Sequence, residues 1–166
     1  MLPGQVGLFA ARGIRKGAII APASDFDERL VPFKAIQNVN PTTRKKIKAH
    51  CIAGENGIWM PSHYNLNRIS IQWYMNHSCN PNVVFDHNED FVARNNIAPG
   101  DELVWDFGTG FDHPRWRLEC NCGEGNCRGV VTGSDWRLPE LQIRYKGHFT
   151  RIIQKKINQL QQGIVS

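Results

Sequence analysis

No stretch of this chain approaches the roughly 18 consecutive apolar residues that a membrane-spanning helix requires. The opening Met1-Leu2-Pro3-Gly4 lacks the basic start and apolar core of a secretory signal. No internal repeat or low-complexity run interrupts the chain, and 41% hydrophobic with 21% charged residues is not the composition of a disordered protein. Acidic residues stop at Glu140, after which Arg144, Lys146, Arg151, Lys155 and Lys156 follow without a counter-charge. These absences leave one globular domain of 166 residues, long enough to bury a continuous core. The expected compartment is intracellular (cytoplasmic, nuclear or host-nuclear), where thiols stay reduced. The net charge of +5 equals the excess carried by the C-terminal segment, which suits either an acidic partner or a solvated helix face.

Short apolar runs alternate with turn residues over most of the chain and predict a mainly β body. Val6 to Ile20 reads as strand, turn and strand, an isolated hairpin by its own signal. Asn40-Pro41-Thr42-Thr43 offers a helix cap before a short helix over 44–51, which Gly54 and Gly57 end. Ile58-Trp59-Met60 returns to a strand, and Ile69 to Met75 leads into an asparagine-rich turn. Val83-Val84-Phe85, Phe91 to Arg94 and Glu102 to Trp105 are strands, joined by turns at Asp86-His87-Asn88 and Ala98-Pro99-Gly100. Leu138 to Tyr145 and Phe149 to Leu160 carry apolar residues at helical spacing on either side of Gly147. Pro22 and Pro32 bracket a polar stretch that fits neither pattern.

Five cysteines cannot all pair as disulfides. Cys120, Cys122 and Cys127 lie in one tight turn where Gly123 and Gly125 free the backbone to wrap an ion. A closed tetrahedral site needs a fourth ligand, for which Cys79 and His77 are both candidates. Cys51 is left as a free buried thiol. Four thiolates would leave no open position, so such a metal would be structural.

The string Tyr74-Met75-Asn76-His77-Ser78-Cys79-Asn80-Pro81-Asn82, then Gly100-Asp101-Glu102-Leu103-Val104-Trp105-Asp106-Phe107, then the cysteine turn resemble, in that order, a SET domain with its post-SET cysteine cluster. Gly7-Leu8-Phe9-Ala10-Ala11-Arg12-Gly13 resembles the family's first strand, with Gln5 in place of the first glycine of a Gly-x-Gly. The resemblance covers about residues 6 to 131. It implies small curved β-sheets with a C-terminal pseudoknot, a zinc-tied post-SET loop and C-terminal helices, divided as 1–110, 111–131 and a basic helical tail over 132–166. It implies protein-lysine methylation from S-adenosylmethionine, with histone tails as substrate by family habit. The zinc set becomes Cys79, Cys120, Cys122 and Cys127. Cofactor binding falls to Gly7, Leu8, Phe9, Tyr74, Asn76, His77 and Asn121, and the catalytic positions to Phe107, Tyr74 and Trp105.

Phe107 departs from the family pattern, which has tyrosine there. The ring is kept and the hydroxyl lost, which implies a slow enzyme or a binding module of the same fold. Tyr74, Tyr64 and Tyr145 are the alternative hydroxyl donors. Trp105 either narrows the lysine channel or packs in the core, and Phe111, Trp116 and Trp136 could cover the pocket.

Overall fold

The computed structural model describes residues 6–25, 28–53, 56–62 and 70–163; Gln5, Gly54, Tyr64 and Ile69 lie outside them. In chain order the elements are β1 (Leu8–Phe9), β2 (Ile19–Ala21), β3 (Glu28–Pro32), α1 (Pro41–His50), β4 (Ile52–Ala53), β5 (Gly57–Pro61) and β6 (Asn76–His77). They continue with β7 (Val83–Phe85), β8 (Phe91–Ala93), β9 (Glu102–Trp105), β10 (Arg117–Glu119), β11 (Val130–Thr132), α2 (Pro139–Arg144) and α3 (Arg151–Gln161). The body is mainly β, as the short apolar runs require. No helix among the described residues is long and apolar enough to cross a membrane.

The strands form three small three-stranded sheets and one hairpin. In the sheet that builds the site, β9 is central: β1 pairs antiparallel on one edge and β6 parallel on the other. Segment 76–82 therefore runs alongside a strand 28 residues later in the chain (Asn76 beside Val104, His77 beside Trp105), a juxtaposition that no local turn can make. Asn82 extends the pairing with its side chain, which donates from Nδ2 to Glu102 O at 2.8 Å and accepts at Oδ1 from Val104 N at 3.0 Å. One amide thus substitutes for a backbone unit along β9, a use open to asparagine because it carries donor and acceptor together.

The expected hairpin over Val6–Ile20 does not form. β1 joins β9, β2 joins β8, and the chain between them is held by a bridge from Ile14 to Ile97. Long-range burial decides this: Leu8 packs against the core cluster of Met75, Leu103 and Trp105. The polar stretch between the two prolines contains β3, which pairs with β5, with β4 on the far edge. Helix α1 begins where its sequence places it. Asn40 Oδ1 accepts from Thr43 N at 2.8 Å, and Pro41 occupies the first turn, where its missing N–H costs nothing. Ile47 buries against Val31 and Met60 of that sheet.

The C-terminal helices are part of the body. Leu141, Tyr145, Phe149, Ile153 and Ile157 form one core with Val84 and Val92 on β7 and β8, joined by Trp136. Gly147 turns the chain between the helices at φ 80°, a left-handed conformation that suits glycine. Some of the basic charge is spent internally: Lys156 pairs with Asp112 at 2.9 Å, and Arg151 with Glu89 at 3.5 Å.

Candidate functional site

The cysteine turn is the loop of the β10–β11 hairpin, closed at its base by Cys120 N donating to Gly129 O at 2.8 Å. This hairpin carries the loop back to segment 76–82. The sulfurs of Cys79, Cys120, Cys122 and Cys127 all lie within 4.8 Å of one another, with Cys79 to Cys120 at 3.9 Å and Cys120 to Cys127 at 3.7 Å. A tetrahedral zinc with bonds of about 2.3 Å would hold its sulfurs about 3.8 Å apart, so the four residues fit that ion. As free thiols they would be unevenly disposed. Burial pushes Cys79 up to about 11 and Cys120 higher still. Burial also opposes ionisation of Cys122, but backbone hydrogen bonds from Cys79 and Glu124 and thiol hydrogen bonds from Cys120 and Cys127 together outweigh it and bring that thiol to about 7.

His77 does not belong to the sulfur set, yet it touches it. Its Nδ1 accepts from Phe107 N at 3.2 Å, and its Nε2 lies 3.3 Å from Cys79 Sγ. Burial lowers its pKa to about 4, with Asp106 opposing and Arg128 assisting. A neutral ring whose Nδ1 accepts must carry its proton on Nε2, aimed at the Cys79 sulfur. The imidazole, 2% exposed, thus links a metal-ligand position to the backbone of Phe107. Only the backbone of His77 is then free to meet a ligand through polar contacts.

Cys79 is fixed at both ends. Its sulfur accepts from Arg128 N at 3.4 Å, and its carbonyl receives Asn126 Nδ2 at 2.6 Å, Tyr145 Oη at 3.3 Å and Arg144 Nη1 at 3.4 Å. Arg128 also forks onto Asp106, with Nη1 to Oδ2 at 2.8 Å and Nη2 to Oδ1 at 2.6 Å. Its Nε lies 2.8 Å from Asp135 Oδ2, close enough for an ion pair although its N–H is not aimed for a hydrogen bond. Asp106 is 1% exposed and needs this partner, because an isolated buried carboxylate would be neutralised or expelled. The sequence suggested no role for Arg128, Asn126 or Asn82, although Asn82 lies in the asparagine-rich string and Asn126 in the cysteine turn. The available signal was the position of Arg128 directly after Cys127, together with buried acids that lacked an assigned cation.

A cleft of about 500 Å³ opens where these elements meet, within the size range of small-molecule sites. Segment 76–82 contributes Asn76, His77, Asn80 and Asn82, and β9 with its end contributes Glu102, Val104 and Phe107. The hairpin closes the far side with Leu118, Cys120, Cys122 and Asn121. Of the sequence-derived cofactor residues, Asn76, His77 and Asn121 line this cleft, whereas Gly7, Leu8, Phe9 and Tyr74 do not. Asn76 points its Nδ2 at Glu102 Oε1, 2.6 Å away, and at Val6 O, 3.1 Å away.

The aromatic residues divide. Phe107 lines the cleft and packs on Trp105 and Phe111, both at 4.8 Å between ring centres, and on His77 at 5.3 Å. Trp105 lies in the core among Phe85, Phe91 and Phe111, and Gly110 lies so close that a Cβ there would meet the indole at 2.8 Å. Trp116 stands over Phe111 and Phe107 at 4.7 and 5.9 Å, whereas Trp136 packs with the C-terminal helices. Tyr145, fully buried with its hydroxyl on Cys79 O, has none to offer the cleft. Tyr74 is 37% exposed on a 3-10 turn over Ile71–Tyr74.

The chain is 34% identical over 110 residues to a tobacco histone-lysine N-methyltransferase, H3 lysine-9 specific SUVH1, covering 59% of this chain and 14% of the relative. It is 36% identical over 62 residues to human histone-lysine N-methyltransferase 2D, covering 33% of this chain and 1% of the relative. The chain thus spans a small part of these relatives' length. The solved structure of KRYPTONITE in complex with mCHG DNA and SAH is similar at 22% identity and a TM-score of 0.43, over 75% of this chain and 26% of that one. The SET domain profile matches residues 5–108, and on that match the chain belongs to the SET domain family.

Proposed function

We propose that this protein is an S-adenosylmethionine-dependent protein-lysine N-methyltransferase whose chemical step is slow because Phe107 stands where a hydroxyl is needed. The observation that carries this reading is the convergence of Asn76–His77, Phe107 and the cysteine loop on one cleft. In this reading 1–110 forms the catalytic domain, 111–131 the zinc-binding cover and 132–166 the helices that brace it.

Bound cofactor would supply an electrophilic sulfonium methyl. Asn121 and the backbone of His77 offer polar contacts for it, while Leu118 gives an apolar wall. The lysine amine must arrive neutral, although free lysine has a pKa of about 10.4. Desolvation against Phe107, Phe111 and Trp116 disfavours the ammonium and promotes its deprotonation, against the opposing pull of the carboxylates that share the cleft. Phe107 contributes shape without a hydrogen bond. A positioned group of that kind is worth roughly 10²–10⁴ in rate, the measure of what this site lacks. Zinc on the four cysteines would hold the cover in place, and His77 would relay that placement to the Phe107 backbone.

The substrate is a protein lysine, with histone tails favoured because the similar proteins are histone-lysine N-methyltransferases. The exposed Lys146 and Lys155 near the C-terminus would assist docking of an acidic partner. Titration with S-adenosylmethionine, then transfer of a labelled methyl group to histone and other protein mixtures, tests the reading. Binding without transfer by wild type or Phe107→Tyr would favour the other reading of the same fold, a module that holds a lysine-bearing partner.

A further inference from the structure

The lining of the cleft is one-sided in charge. It includes four carboxylate side chains, Asp101, Glu102, Glu119 and Glu124, and no lysine or arginine among the described residues. Glu102 and Glu124 are half-buried, while Asp101 and Glu119 are exposed. Two sulfur-bearing lining residues, Cys120 and Cys122, add to this. A zinc held by four thiolates carries a net charge of about −2, so metal loading leaves the wall negative. Arg128 neutralises none of the four, because its guanidinium is committed to Asp106 and Asp135.

We infer that the cleft selects its cofactor by charge, holding the sulfonium form more tightly than the neutral thioether left after transfer. This rests on the cofactor assignment proposed above and deepens it. S-adenosylmethionine bears a sulfonium, an ammonium and a carboxylate, a net charge of about +1 at neutral pH, and S-adenosylhomocysteine, lacking the sulfonium, is near zero. The interior of a concave, partly desolvated cleft focuses the field of its wall charges, so that one unit of ligand charge is felt by all four carboxylates together. Exposed members are screened by salt over about 8–10 Å, which makes the preference dependent on ionic strength. The consequence is ready release of product at the end of a slow turnover.

Glu119 and Glu124 are suitable test positions. Glu119 sits exposed on β10, and Glu124 Oε2 accepts from Asn80 Nδ2 at 3.3 Å, a bond that a glutamine oxygen keeps. Calorimetric affinities are measured on the zinc-loaded chain for S-adenosylmethionine, S-adenosylhomocysteine and sinefungin, whose protonated amine restores the positive charge without a sulfonium. At low salt the two cationic ligands bind at least about fivefold tighter than the neutral one, a gap that narrows in high salt and in the Glu119→Gln/Glu124→Gln variant. Equal or tighter binding of S-adenosylhomocysteine overturns the inference and leaves the cofactor assignment standing, as does a gap that ignores both salt and the substitutions. Failure of all three ligands to bind overturns the cofactor assignment and this inference with it.

Discussion

Arg128 grips Asp106 through both oxygens, at 2.6 and 2.8 Å, and so fastens the cysteine hairpin to the residue immediately before Phe107. The same guanidinium reaches Asp135 at 2.8 Å, and the backbone N–H of Arg128 reaches Cys79 Sγ. Arg128→Ala strands two buried carboxylates and should cost about 3–5 kcal/mol in denaturant unfolding of the zinc-loaded protein. Arg128→Lys should recover less than half, since an ammonium cannot reproduce the fork. Stability within about 0.5 kcal/mol of wild type for both variants would deny the clamp its role.

Metal analysis of the purified chain should give about one zinc, released by chelator together with loosening of the 120–127 loop. Cys79→Ser should lower the metal content. Full retention in that variant would shift the fourth ligand to His77, whose Nε2 is already 3.3 Å from the Cys79 sulfur. Cys51 should stay slow toward alkylating reagents at pH 8 throughout, because burial first and Glu28 second push its thiol up to about 11.

His77→Phe removes both the acceptor for Phe107 N and the donor to the Cys79 sulfur while keeping a ring of similar size. The unmatched N–H should cost about 1–3 kcal/mol, and zinc should be lost at lower chelator concentration. Zinc retention and stability equal to wild type would show the imidazole to be a spacer.

The C-terminal helices are predicted to be structural first. Ile153→Ala, at a position with no exposure, should cost about 2–5 kcal/mol. Tyr145→Phe should cost only about 0.5–1.5 kcal/mol, since Asn126 and Arg144 still serve the Cys79 carbonyl. Charge reversal for partner binding belongs at Lys146 and Lys155, not at the internally paired Arg151 and Lys156. An Ile153→Ala protein as stable as wild type would return these helices to the status of a loose tail.

Much of this was legible because it lay in contiguous strings. The asparagine-rich turn, the cysteine turn and the strand ending at Phe107 each announced itself, and the Asn40–Pro41 cap fixed the start of α1. What stayed hidden depends on contacts between distant segments. Short apolar runs at 8–9 and 19–21 on either side of Gly13 and Gly17 suggest a hairpin, and only burial against Leu103 and pairing with β8 send them to different sheets. β3 was masked by its charges and its terminal Pro32, and its two apolar residues, Leu30 and Val31, are adjacent and so leave no alternation to read. Charge counting found the basic C-terminal segment but could not reveal that its apolar stripes close a core with Val84 and Val92. Arg128 reads as one more surface cation until Asp106 and Asp135 are seen converging on it.

Under the proposed function, Phe107 limits the methyl transfer of an otherwise complete site. The most direct measurement is the single-turnover rate of labelled-methyl transfer to a protein lysine by the zinc-loaded chain and by Phe107→Tyr, at saturating S-adenosylmethionine. The added oxygen extends a ring that already lines the cleft, so binding of the cofactor should change little. The rate should rise at least about tenfold in the variant, within the range of a positioned catalytic group. Equal and substantial rates for both forms would contradict the claim and make Tyr74 the next residue to test.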